Sequence, residues 1–113
     1  MRISSGLSPR RLYGLIGYPV AHSLSPRLFA ESQLAQEGSS YQLFPMESLD
    51  GLLDLLRAYR PSGLNVTSPY KEQILTALPN IELSPEVLAL GAANVLALDY
   101  QEGDSLQIKA KAY

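Results

Sequence analysis

Three short apolar runs, each followed by a turn and a segment of helical periodicity, constrain this chain more than any other feature. Arg11 to Ile16 (Arg-Leu-Tyr-Gly-Leu-Ile) is apolar almost throughout, as a strand covered on both faces should be. Gly17-Tyr18-Pro19 ends it, and Ser25-Pro26 opens a predicted helix to about Gln36, with Leu28, Phe29, Leu34 and Ala35 on its apolar face and Gly38 as its stop. Tyr41 to Pro45 is the second strand; Ser48 or Asp50 caps a helix over Leu49–Tyr59. Leu64 to Thr67 is the third strand, and Ser68-Pro69 opens a helix to about Ala77. Strand and helix alternating three times imply right-handed crossovers and a mainly parallel sheet with helices on both faces. After the Leu78-Pro79-Asn80 turn, Ser84-Pro85-Glu86 starts a short helix to Leu90. Asn94–Asp99 and Ser105–Ala110 then form an antiparallel C-terminal strand pair, the last strand alternating as at an edge. The expected class is α/β, with residues 1–10 as a polar lead-in and residues 11–113 as one domain.

Composition excludes several functions. An apolar fraction of 46% and a charged fraction of 18% are those of a globular chain, not a disordered one. A net charge of −2 with no basic run argues against a nucleic-acid partner. There is no cysteine, and one histidine, His22, cannot build a multi-histidine metal site; by itself it reads as a hydrogen-bonded structural residue. The apolar start is broken by Gly14, Gly17 and Pro19, so neither a signal peptide nor a membrane span is expected, and the cytoplasm is the expected compartment. No Gly-x-Gly-x-x-Gly or Walker A run is present, so no cofactor-binding residue is expected in this chain.

Ligands of such sheets bind beyond the carboxyl ends of the strands. Two loops lead there, Ser23-Leu24-Ser25 and Thr67-Ser68-Pro69-Tyr70-Lys71, both hydroxyl-bearing and both entering predicted helix starts with free N–H groups. Lys71 falls at about the third helical position, where the dipole disfavours a cation and would lower its pKa toward the range of proton transfer. A solvated surface lysine satisfies the same pattern. Ser25 and Ser68 could be helix caps alone, Ser23 and Thr67 turn residues, and Asn94 a turn residue after Gly91-Ala92-Ala93. The chemistry that suits all of them is a small polyhydroxylated or carboxylated molecule, with Lys71 as the proton-transfer group.

Gly17-Tyr18-Pro19-Val20-Ala21-His22-Ser23-Leu24-Ser25-Pro26, then Asn65-Val66-Thr67-Ser68-Pro69-Tyr70-Lys71, then Gly91-Ala92-Ala93-Asn94, in that order, resembles the amino-terminal substrate-binding domain of the shikimate dehydrogenase family. The resemblance runs from about Tyr13 to the end. It implies reversible reduction of 3-dehydroshikimate to shikimate with NADPH, on the route to aromatic amino acids. It also implies that Ser23 and Ser25 hold the substrate carboxylate, that Thr67 and Asn94 bind ring hydroxyls, and that Lys71 is the catalytic lysine. The family's NADP domain and its aspartate, in an Asn-Thr-Asp-Gly run, would follow Tyr113. The chain alone is therefore expected to be inactive. Phe29-Ala30 and Val95 stand where the family often has His-Asn and Thr. Two other readings use the same residues: a non-catalytic binding or regulatory module for a shikimate- or quinate-like ligand, and an α/β scaffold whose exposed surface forms a homodimer.

Overall fold

The computed structural model describes residues 11–21 and 23–113; the lead-in expected over residues 1–10 and the structural role expected for His22 lie outside them. Strand β1 (Leu12–Gly17) leads into α1 (Ser25–Ala30) and α2 (Gln33–Gln36), then β2 (Ser40–Pro45), a 3-10 turn over Leu49–Gly51 and α3 (Leu52–Tyr59). β3 (Gly63–Val66) is followed by a 3-10 turn at Gln73–Thr76, β4 (Glu82–Leu83), α4 (Pro85–Leu90), β5 (Val95–Gln101) and β6 (Gln107–Ala112). Among the described residues the strands make one six-stranded sheet in the order β2-β1-β3-β5-β6-β4. β1 pairs in parallel with β2 and β3, while β5 runs antiparallel to both β3 and β6.

Strand alternation sorts the two faces. Ile16, Phe44, Leu64, Val66, Leu96, Ala110 and Ala112 form a continuous core with Leu52 and Leu56 of α3, with Ile74, and with Val87 of α4. Ser48 Oγ accepts from the Asp50 N–H at 3.1 Å to start the α3 region, and Leu52 and Leu56, one turn apart, are its two fully buried residues. α4 follows its expected pattern: Ser84 Oγ accepts from Val87 N–H, Pro85 sits in the first turn, Glu86 complements the dipole, and Gly91 ends the helix at φ 74. The opposite face is covered near β2 and β1, where Phe29 of α1 packs on Tyr13 and Tyr41, at ring-centroid distances of 5.8 and 5.1 Å. Phe29 thus fills with aromatic packing the position where the family resemblance led one to expect histidine.

Three sequence expectations change. The single helix over Pro26–Gln36 is two short helices, because Ser32 Oγ donates to the Phe29 carbonyl at 2.6 Å and accepts from Ala35 N–H, capping a new start in mid-segment. Leu28 does not belong to its buried face; it is 67% exposed. The last strand lies two residues further on than expected and is not bare at its edge, since β4 adds a two-residue parallel rung at Lys111 and Ala112. The register explains the shift: pairing Leu96 with Ala112, Leu98 with Ala110 and Tyr100 with Ile108 puts these apolar side chains together on the core face.

Leu56 is 0% exposed, so Leu56→Ala should lower stability by about 2–5 kcal/mol in urea unfolding. Leu28→Ala should stay within about 0.5 kcal/mol of the parent.

Candidate ligand-binding site

The open face ends in a cavity of about 390 Å³ at the carboxyl ends of β1 and β3. Three segments build it. The loop after β1 folds back through Ser23 N–H to the Val20 carbonyl at 3.0 Å, and Leu15 and Val20 form an apolar floor. The turn after β3 is laced to β1 by Thr67 N–H to the Ile16 carbonyl at 3.0 Å and Tyr18 N–H to the Ser68 carbonyl at 3.1 Å. Antiparallel β5 begins at the same sheet end, where Ala93 N–H donates to the Lys71 carbonyl at 2.8 Å and the Asn94 carbonyl accepts from Val66 N–H at 2.7 Å.

Gly17 makes the first lacing possible. A Cβ there would overlap Thr67 Cγ2 and press the Ser68 carbonyl oxygen at 3.0 Å. Outside the sheet, the Tyr18 hydroxyl donates to Glu47 Oε1 at 3.2 Å, tying the same loop to the end of β2; this hydrogen bond first, and the carboxylate charge second, raise the Tyr18 pKa.

Ser23, Ser25, Thr67, Lys71 and Asn94 all line this one cavity. The local reasons differ from the expected ones, however. No α-helix starts at Pro69. Ser68 and Pro69 lie in a turn, their peptide bond cis, and only the short 3-10 segment Gln73–Thr76 follows. Tyr70 is drawn into the core, 3% exposed, where its hydroxyl donates to the Met46 carbonyl. The Lys71 carbonyl goes to Ala93 instead of to a helix. Lys71 is exposed at the cavity rim, and with no α-helix beginning at Pro69 the dipole argument for its chemistry falls away. Ser68 is therefore no helix cap. Ser25 is not one either: it is the first residue of α1, and Ser23 Oγ accepts the Ser25 N–H at 3.1 Å. That bond occupies an N–H expected to be free for a ligand, while the Ser25 hydroxyl keeps no capping duty.

Asn65 also lines the cavity; it opens the Asn65–Lys71 run quoted above, where it is given no role. A signal was present: Asn65 is two residues before Thr67, so both face the side opposite Leu64 and Val66. Its Oδ1 accepts from the Tyr41 hydroxyl at 2.8 Å. Burial raises the Tyr41 pKa, and hydrogen bonding with Ser25 opposes that rise.

Among the described residues the lining therefore offers hydroxyls, two amides and one ammonium over an apolar floor, with no carboxylate. It suits a small oxygen-rich anion. A larger cavity of about 610 Å³ lies between α3 and β6, lined by Leu53, Leu78, Ile108 and Ala110 together with Arg57, Glu82 and Lys109. Among the described residues no three His, Asp or Glu side chains group as metal ligands.

Fold and cavity together define an α/β domain with a candidate ligand site at the carboxyl ends of parallel strands. Residues 15–96 match the family described as shikimate dehydrogenase substrate binding domain, and the chain belongs to that family. The shikimate dehydrogenase (NADP(+)) of Oleidesulfovibrio alaskensis is 39% identical over 94 residues, covering 80% of this chain and 33% of that protein. A solved shikimate 5-dehydrogenase of Thermus thermophilus, in complex with shikimate, aligns with a TM-score of 0.64 and 32% identity over 89% of this chain and 37% of that one. Quinate dehydrogenase from Corynebacterium glutamicum, in complex with NAD, aligns with a TM-score of 0.70 and 28% identity over 89% of this chain and 36% of that one. The chain spans about a third of the length of the curated relatives it matches.

Gly17→Ala should force the Thr67 turn away from β1 and destabilise the chain by about 1–3 kcal/mol, read by urea unfolding.

Proposed function

We propose that this chain forms, over residues 11–113, the substrate-binding domain of an NADP-dependent shikimate dehydrogenase that interconverts 3-dehydroshikimate and shikimate. The observation that carries the reading is the meeting of Ser23, Ser25, Thr67, Lys71 and Asn94 around one cavity. Ser23 and Ser25 hold the ligand carboxylate through their hydroxyls. Thr67 and Asn94 take ring hydroxyls. Lys71, the single cation among the described lining residues, gives a proton to the carbonyl oxygen as NADPH would supply hydride to the carbonyl carbon, and takes the proton back in the reverse direction. Its rim position suits a group that must meet both substrate and solvent.

NADP, named for relatives such as that of Oleidesulfovibrio alaskensis, finds no cradle among these residues. The chain has no glycine-rich strand-to-helix turn that could approach a pyrophosphate. By itself the 113-residue chain binds substrate without turning it over. The cytoplasm remains the compartment this reading implies; among the described residues no helix is long and apolar enough to cross a membrane. Exposed Leu88 and Leu90 on α4 support self-association as a homodimer. A quinate-like ligand is the second reading, favoured by the likeness to a quinate dehydrogenase and by a lining that accepts any polyhydroxylated carboxylate.

Amide NMR titration of the chain with shikimate, and separately with quinate, tests this. Shikimate should shift Ser23, Ser25, Thr67, Lys71 and Asn94 together. Ser25→Ala should weaken binding roughly tenfold, the loss of about one hydrogen bond to a charged group. Stronger binding of quinate would select the second reading, and absence of shifts with either at millimolar ligand would reject both.

A further inference from the structure

Tyr41 stands outside the cavity lining, yet it is joined to it. It lies on β2, and Asn65 lies on β3, two strands away across β1. The register pairs Tyr41 with Tyr13 and Asn65 with Leu15, so the tyrosine reaches diagonally over β1 to place its hydroxyl on Asn65 Oδ1 at 2.8 Å. Its ring is fixed from above by Phe29 at 5.1 Å between centroids, and Phe29 is in turn braced by Tyr13. A tyrosine so held has little rotamer freedom left, and its hydroxyl points one way.

A side-chain amide has one acceptor oxygen and two N–H donors, and its orientation is set by its partners. Among the described residues, the Tyr41 hydroxyl is the one hydrogen-bond partner of the Asn65 side chain. With Oδ1 engaged by that donor, the Nδ2 N–H groups have no protein partner among the described residues, and Asn65 lines the cavity. We propose that Tyr41 is a positioning residue: it holds the Asn65 amide with its N–H groups toward the ligand, making Asn65 a donor to a ligand oxygen. A flipped Asn65 would present an acceptor to a ligand hydroxyl or carboxylate oxygen and would repel the latter. The ligand class rests on the shikimate reading above; the orientation of Asn65 does not.

The test compares the full chain with Tyr41→Phe, Asn65→Ala and the double variant, by shikimate affinity and by the Asn65 side-chain amide signals. Phenylalanine keeps the packing on Phe29, and backbone amides away from β2 and β3 report that the fold persists. In the ligand-free chain, Tyr41→Phe should move the Asn65 Nδ2 proton pair. Each single variant should weaken shikimate binding roughly tenfold, and the double variant should bind no worse than Asn65→Ala. Asn65→Asp, which keeps the acceptor for Tyr41 and loses the donors, should also lose binding. Additive losses in the double variant, or Nδ2 signals indifferent to Tyr41→Phe, would overturn the proposal. If the parent chain does not bind shikimate, the functional reading fails, and the ligand-free Nδ2 signals alone still decide for or against Tyr41.

Discussion

Two backbone hydrogen bonds carry the site: Thr67 N–H to the Ile16 carbonyl and Tyr18 N–H to the Ser68 carbonyl. They continue the parallel ladder of β1 and β3 past the point where the strands end, so two connecting loops leave the sheet already in contact. Each bond pairs a backbone donor and acceptor that the ends of the strands would otherwise leave to solvent, so the pairing extends the register the strands already have. Gly17 is the condition for it, because any side chain there would occupy the space of Thr67. The hydroxyls of one loop and the lysine of the other thereby face a common cavity.

The sheet divides labour between its faces. One face holds the large apolar side chains against α3 and α4, and stability resides there. The other is covered by α1 over β2 and β1, leaving β3 and the start of β5 open to a ligand. The polar groups that line the cavity therefore lie outside the core and do not weaken it. Tyr70 crosses this division. Its side chain belongs to the core while its backbone carries the turn that presents Lys71, so the lysine's position is fixed by apolar burial and by the Met46 carbonyl.

The architecture was largely legible in the sequence because apolar runs and Ser-Pro starts mark strands and helices locally. Ser84 and Ser48 cap as their sequences suggest, since each has its acceptor and the following donors within a few residues. The same local rule misled at Ser68-Pro69, where the competing interactions are distant. Tyr70 finds a partner 24 residues away and the Lys71 carbonyl pairs with Ala93, and neither is visible from spacing. That the loop hydroxyls and Lys71 share one cavity was legible all the same, since groups at strand ends point to one sheet edge whatever the turn between them. Asn65 escaped because its signal lies in the alternation of the strand and not in the loop that follows.

The most direct test of the central claim, a cavity preassembled by loop-to-loop backbone hydrogen bonds, is a crystal structure of the chain with shikimate bound. The account predicts the carboxylate at Ser23 and Ser25, ring oxygens at Thr67, Lys71 and Asn94, and the Thr67–Ile16 and Tyr18–Ser68 hydrogen bonds unchanged. Shikimate bound instead between α3 and β6, or bound only after the Thr67 turn has parted from β1, would contradict it.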